Sequence, residues 1–293
     1  MMKKLTMSDV QQPNNDNLNN QGKPVRHILA LSGGKDSCAL AVYMLGKIPD
    51  VEYVFCDTEK ELDETYEYLI RLETLLGKKI IYLKYSDGYG FDEILQIKNG
   101  FLPSPDSRWC TEYLKIKPYE KFIGNDPVLS YVGIRADEAH RKGYISTKPN
   151  IKTVFPFIAN NIRHDDVVRI LDEAGLGLPK YYTWRSRSGC YFCFFQQKRE
   201  WVGLLENHPE LFKKSMDYEK TDPNSDETRF TWSQDESLAE LSKPARVAQI
   251  KEAYEKRKAR LNNTFVGNKK LKDMWMDDNY AEASEIACTI CHL

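Results

Sequence analysis

Ser32-Gly33-Gly34-Lys35-Asp36-Ser37 stands between two apolar stretches. Upstream, His27-Ile28-Leu29-Ala30-Leu31 reads as a short buried strand. Downstream, Ser37-Cys38-Ala39-Leu40-Ala41-Val42-Tyr43-Met44-Leu45 has the apolar density of a packed helix. A strand, a glycine-rich turn and a helix N-terminus together make an anion site. The glycines let the backbone approach a ligand closely, free N–H groups point outward, and the helix dipole favours negative charge. Lys35 adds a mobile point charge suited to phosphate oxygens, and Ser32 and Ser37 add hydroxyl donors. The stretch reads as a pyrophosphate-binding loop. It is not a Walker A loop, because the Gly-x-x-x-x-Gly-Lys-Ser/Thr spacing is absent.

Outward from the loop, strand-like and helix-like segments alternate from about Val25 to Arg135. Val51–Cys56, Lys79–Leu83 and Val128–Val132 are strand candidates. Over 62–76 a helical stripe carries Leu62, Tyr66, Leu69, Leu72 and Leu76, with Gly77 placed to end it. This alternation predicts an α/β, doubly wound, mostly parallel sheet whose ligands sit at the carboxyl ends of the strands. From about Val154 strand signals fade, and 165–174, 196–214 and 238–261 read as helices. The expected organisation is a polar N-terminal arm over 1–24, an α/β nucleotide-binding domain over 25–150, and a helical, cysteine-bearing C-terminal region over 151–293.

A chain of 293 residues can bury one sizeable core and an accessory region. Its 42 basic and 43 acidic residues nearly cancel, so no global field announces a nucleic-acid or membrane partner. Met1-Met2-Lys3-Lys4 is followed by no apolar signal core, and no stretch is long and apolar enough to span a bilayer. A cytoplasmic setting is expected, where seven cysteines are read as thiols, metal ligands or redox groups rather than structural disulfides.

The Ser32–Ser37 stretch resembles the SGGxDS signature of the ATP-pyrophosphatase (PP-loop) superfamily, whose members share an adenine nucleotide α-hydrolase-like fold and cleave ATP between the α and β phosphates. Asp57-Thr58 followed by Glu64-Thr65 resembles the Asp-Thr-Gly-x-x-x-x-Glu-Thr stretch of the phosphoadenosine-phosphosulfate (PAPS) reductase branch, with Glu59 at the family glycine. Taken as bare sequence, Asp57 or Thr58 is also a fair helix cap. Gly133-Ile134-Arg135 resembles that branch's Gly-Ile/Leu-Arg segment, which implies an arginine that meets phosphate or sulfate; an arginine beside a strand end can fork two donors onto an oxyanion. The resemblance runs over about 25–195 and implies nucleotide binding by Ser32, Gly33, Gly34, Lys35, Asp36, Ser37, Asp57 and Gly133.

The cysteines fall into groups. Cys38 and Cys56 lie on the helix after the loop and on a strand, as packed core thiols. The order Cys110…Cys190-x-x-Cys193 resembles the cluster ligands of adenylylsulfate reductases and of DNA-phosphorothioation sulfurtransferases, with Trp109 where the reductases carry the first of two adjacent cysteines. That likeness implies a 4Fe-4S cluster held by three thiolates with one iron open, or a four-ligand iron–sulfur or zinc site completed by Cys288, Cys291 or another residue. The tail Cys288-Thr289-Ile290-Cys291-His292-Leu293 is similar to the mobile catalytic tail of PAPS reductases, although its Glu and Gly neighbours are absent, so Cys291 is a candidate nucleophile or persulfide carrier and equally a candidate metal ligand. Between Leu241 and Lys272 ten Lys/Arg face only two Glu, either a nucleic-acid-binding stretch or a solvated helix face.

Lys35 and Asp36 match the ATP-cleaving members of the superfamily. The resemblance implies that Lys35 neutralises departing pyrophosphate, that Asp36 holds Mg2+, and that Arg135 meets an oxyanion. The leading expectation is an ATP-dependent sulfurtransferase that adenylates an acceptor, in DNA phosphorothioation or RNA thiolation, served by a cysteine desulfurase. The alternatives are a PAPS or adenylylsulfate reductase and an ATP-binding regulatory subunit without turnover.

Overall fold

Strand β1, Arg26–Leu31, sits at the centre of the protein, and its side chains explain why. Leu29 and Leu31 point into one apolar cluster while Ile28 and Ala30 point into another, so both faces of the strand are buried. That is the condition for a parallel sheet covered on both sides. The computed structural model describes residues 22–48, 50–85, 89–141, 146–219, 230–233 and 236–264, the last four without their side chains. Among them, β1, β2 (Val51–Cys56), β3 (Ile80–Leu83), β4 (Val128–Tyr131) and β5 (Ile151–Val154) form a sheet of order β3-β2-β1-β4-β5. Every pair is parallel, with His27 opposite Val51 and Leu129 and with Val128 opposite Ile151.

Helix α1 (Lys35–Met44) follows β1 and α2 (Asp63–Leu76) follows β2. Gly77 ends α2 with φ of +62°, the left-handed conformation that glycine adopts freely. Leu69, Leu72 and Leu76 form its buried stripe, as its spacing predicts. Beyond β3 come α3 (Phe91–Ile97) and α4 (Trp109–Thr111), which runs through a π-helical turn, Glu112–Ile116, into α5 (Lys117–Ile123). α6 (Pro156–Ala159) and α7 (His164–Glu173) follow β5, and α7 packs on α1. Tyr119 and Ile123 of α5 cover the opposite face beside Val54 and Val128. The sheet is doubly wound. The order in which strands are added reverses between β1 and β4, so the loops leaving these two parallel strands share one crevice.

The C-terminal region is helical: α8 (Lys198–Asn207), α9 (Pro209–Asp217), α10 (Leu238–Leu241) and α11 (Pro244–Thr264). A second core joins it to α3 and α4 through Phe91, Trp109, Phe192, Trp201 and Trp232.

Three elements depart from the sequence reading. The sheet gains β5 just past the boundary expected at 150, where four residues are too few to show a period. The helix expected over 196–214 is two helices broken at His208-Pro209, and that over 238–261 is two broken ahead of Pro244. Each proline starts a new helix, where its missing N–H costs nothing, rather than continuing the old one. No helix among the described residues is long and apolar enough to cross a membrane.

Candidate functional site

The loop after β1 is built as its residue types require. Gly33 has φ of +70°, and a Cβ there would lie 2.4 Å from Thr65 Cγ2 of α2. Gly34 caps α1 in an extended conformation, and a Cβ there would meet Ser188 Oγ at 2.6 Å. The positive φ makes Gly33 require glycine, and Gly34 leaves its backbone packed directly against Ser188. The serines brace the turn: Ser32 N–H donates to Ser37 Oγ at 3.1 Å, and Ser37 Oγ donates to the Gly34 carbonyl at 3.3 Å. Behind them the first turn of α1 presents its backbone N–H groups at the switch point.

Lys35 and Asp36 occupy that first turn. Lys35 Nζ donates to Asp36 Oδ2 at 3.2 Å, and Arg135 Nη1 donates to Asp36 Oδ1 at 2.8 Å. Arg135 arrives from the loop after β4, where a Cβ on Gly133 would lie 2.9 Å from the Asp36 carbonyl oxygen. The guanidinium also pairs with Asp137 at 3.1 Å and Glu138 at 3.0 Å. Burial works against its charge, but Asp36, Asp137 and Glu138 outweigh burial and raise its pKa above the ordinary value. Asp36 and Arg135 are both almost fully buried, so this is a fixed electrostatic unit rather than a surface pair. Three expected site residues, Lys35, Asp36 and Arg135, are thus brought together from two strand ends.

Asp57 follows β2. Its Oδ1 accepts from Tyr66 Oη at 2.7 Å and from the Glu59 N–H at 2.9 Å, closing a local turn. Glu59, which replaces the family glycine, has φ of +59°. The turn keeps a glycine-like backbone in spite of the side chain, at a cost of about 1–2 kcal/mol.

Cys38 and Cys56 are core thiols, as their positions predict, and burial pushes each up to about 12. The other three described thiols are half-buried. Cys190 Sγ lies 3.2 Å from Thr58 Oγ1 and 3.8 Å from Glu61 Oε1, and burial raises its pKa well above the ordinary thiol value. Cys110 Sγ lies 4.0 Å from Thr111 Oγ1. Among the described residues no group of three or more His, Cys, Asp or Glu is arranged to hold a metal ion. Cys193 bears electrostatically on Cys190, and an iron–sulfur or zinc centre on Cys110, Cys190 and Cys193 is what the resemblance implies. Cys288, Cys291 and His292 lie outside the described residues.

A model of the phosphoadenosine phosphosulfate reductase domain matches residues 26–194, more than half of the chain and the whole of the sheet, the loop and Arg135. The chain belongs to that family. It thereby falls in the PP-loop superfamily. An uncharacterized protein of Methanocaldococcus jannaschii is 33% identical over 207 residues, which are 66% of this chain and 40% of that protein. A second from the same organism is 25% identical over 224 residues, 71% of this chain and 49% of its own length. An uncharacterized 37.8 kDa protein of Escherichia phage 186 is 25% identical over 256 residues, 66% of this chain and 74% of its own. The chain spans about half the length of the two archaeal relatives it matches. Among solved structures, a PAPS reductase from Candida auris in complex with phosphate is similar at a TM-score of 0.47 and 15% identity, covering 64% of this chain and 89% of that one. The U34-tRNA thiolase NcsA from Methanococcus maripaludis, with its 4Fe-4S cluster, is similar at 0.40 and 17%, covering 71% and 74%.

Within this PAPS reductase family member, sequence reasoning missed the strap that crosses the loop, residues 180–188. Tyr181 Oη donates to the Gly33 carbonyl at 2.8 Å, Lys35 N–H donates to Tyr182 Oη at 3.2 Å, and Ser188 Oγ donates to Ser32 Oγ at 3.3 Å. Arg185 anchors the strap's end through the Gly189 and Cys190 carbonyls, at 2.8 and 2.7 Å. Glu200, fully buried in the first turn of α8, accepts from Ser186 N–H at 2.8 Å, Ser186 Oγ at 2.6 Å and Gln197 N–H at 3.0 Å. The one signal was a run of tyrosine and serine just before Cys190-x-x-Cys193, which has no periodicity to read.

The basic segment forms α11 over its described part. Near α8 it is tied down, with Lys251 paired to Glu206 and Arg199 lying 4.6 Å from the Tyr254 ring centroid. Residues 255–260 are exposed.

Proposed function

We propose that this chain is an ATP-pyrophosphatase that adenylates an acceptor and supports sulfur transfer to it. The observation that carries the reading is the Lys35–Asp36–Arg135 unit set on the first turn of α1 at the switch point. Membership of a family named for sulfonucleotide chemistry supports a sulfur-related reaction. Backbone N–H groups of the loop and Lys35 hold the β and γ phosphates, and Lys35 offsets charge as pyrophosphate leaves. An acceptor oxygen attacks the α phosphorus, the α–β bridging bond breaks, and acceptor-AMP and pyrophosphate form. A sulfur nucleophile then displaces AMP from the acceptor. Asp36 suits Mg2+ carried in with the nucleotide, since such sites take one or two carboxylates together with phosphate oxygens, and the ion would neutralise phosphate charge.

The acceptor we favour is a nucleic acid, met by the exposed basic end of α11, and the sulfur source a cysteine desulfurase. Charge supports the first: residues 251–260 hold Lys251, Lys256, Arg257, Lys258 and Arg260 against Glu252 and Glu255. The test is to incubate anaerobically purified protein with Mg-ATP, beside Lys35→Ala, and to separate the nucleotides. AMP with pyrophosphate, lost in the variant, is the expected result. ADP with phosphate overturns the mechanism, and sulfite release from PAPS assigns the chain to the reductases instead.

A further inference from the structure

The strap does more than cover the loop. Tyr182 touches both of the loop's anion-binding elements at once. Its hydroxyl accepts from the Lys35 N–H, one of the first-turn donors that a helix leaves without an internal partner. Its ring lies 5.1 Å from Lys35 Nζ, presenting the electron-rich face to the ammonium. An oxygen lone pair on the helix N-terminus and negative potential on the lysine are what a phosphate group would supply. Burial also raises the Tyr182 pKa, which keeps the hydroxyl neutral.

We propose that Tyr182 occupies the place of a nucleotide phosphate oxygen, so that phosphate binding requires the 180–188 strap to leave the loop. Tyr182 is then a gating residue, not a catalytic one. Entry exchanges one neutral acceptor for a charged one, and the exchange carries Tyr181 and Ser188 with it because they grip the same turn. The strap leads within two residues of Ser188 to Cys190, so its release also alters the setting of that thiol beside Thr58 and Glu61. This inference rests on the reading of the loop as a phosphate site.

The test uses the full chain and inorganic pyrophosphate as the probe. Calorimetry is run on the wild type, Tyr182→Phe and Lys35→Ala, with amide hydrogen exchange of the strap followed in parallel. Tyr182→Phe keeps the ring and removes the competing oxygen, so it should bind about fivefold tighter, the weight of one net hydrogen bond. In the wild type, pyrophosphate should speed exchange across 180–188. Equal or weaker binding by Tyr182→Phe, with the strap unchanged or protected, overturns the gate while leaving the phosphate site standing. Absence of pyrophosphate and ATP binding in both the wild type and Tyr182→Phe overturns the phosphate reading, and the gate with it.

Discussion

Gly133→Ala tests whether the two strand ends must touch for the site to exist. Gly133 is not among the glycines with positive φ, so its backbone accepts alanine without strain and any effect must come from contact. The added Cβ would lie 2.9 Å from the Asp36 carbonyl oxygen, 3.0 Å from its carbonyl carbon and 3.2 Å from Ser37 N. All three are backbone atoms, which cannot rotate away. Reaching an ordinary contact of 3.4 Å means moving the first turn of α1 or the 133–135 loop by 3.4 − 2.9 = 0.5 Å. Overpacking of this kind costs about 1–3 kcal/mol, a fall in Tm of about 2–10 °C for a domain of this size. The same shift displaces Lys35 and Asp36 relative to Arg135, and misplacement on this scale lowers turnover by about ten- to a hundredfold. Gly124→Ala is the control, because Gly124 has φ of +59° and open space around it. It should lose more than about 1 kcal/mol from backbone strain alone and keep its activity. The measurements are thermal unfolding and pyrophosphate release. Wild-type turnover in Gly133→Ala, or an equal loss of turnover in Gly124→Ala, would refute the reasoning.

Three further outcomes follow from other parts of the structure. Burial alone would raise the Glu200 carboxyl, but hydrogen bonds from Ser186, the Arg185 charge and the Gln197 N–H hold it below the ordinary range; Glu200→Ala strands those donors and should cost about 3 kcal/mol, with faster amide exchange at 185–188. An unchanged melting curve for Glu200→Ala would contradict the anchoring role. Native protein treated with iodoacetamide near pH 8 should leave Cys38 and Cys56 unmodified, since both are buried and pushed up to about 12, while the half-buried Cys110 and Cys193 react; peptide mass spectrometry reads the difference. Glu236 is held down to about 2 by Arg246 and Lys198, against an ordinary 4.5. A depressed carboxyl contributes stability above its unfolded pKa, so this contribution is present above about pH 4.5 and lost as pH falls toward 2. Glu236→Gln should therefore be destabilised at pH 7 and match the wild type near pH 2, as chemical denaturation at the two pH values would show.

The amino-acid sequence by itself determined the strand–loop–helix at Ser32–Ser37, the parallel alternation through β4, the end of α2 at Gly77 and the burial of Cys38 and Cys56. Each is a local property: a period, a cap or an apolar run dictates it without knowledge of distant residues. The meeting of Arg135 with Asp36, 99 residues apart, was legible only as two separate motifs, and the sheet order brought them to one crevice. Tertiary structure alone decided the rest. The strap's grip on the loop through Tyr181, Tyr182 and Ser188 has no periodic signature, because its hydrogen bonds run to residues about 150 positions away. Spacing along a chain does not state where a sulfur atom turns. Thr58 and Glu61, at the end of a different strand, supply the nearer polar partners for Cys190, and those contacts exist only once the chain has folded.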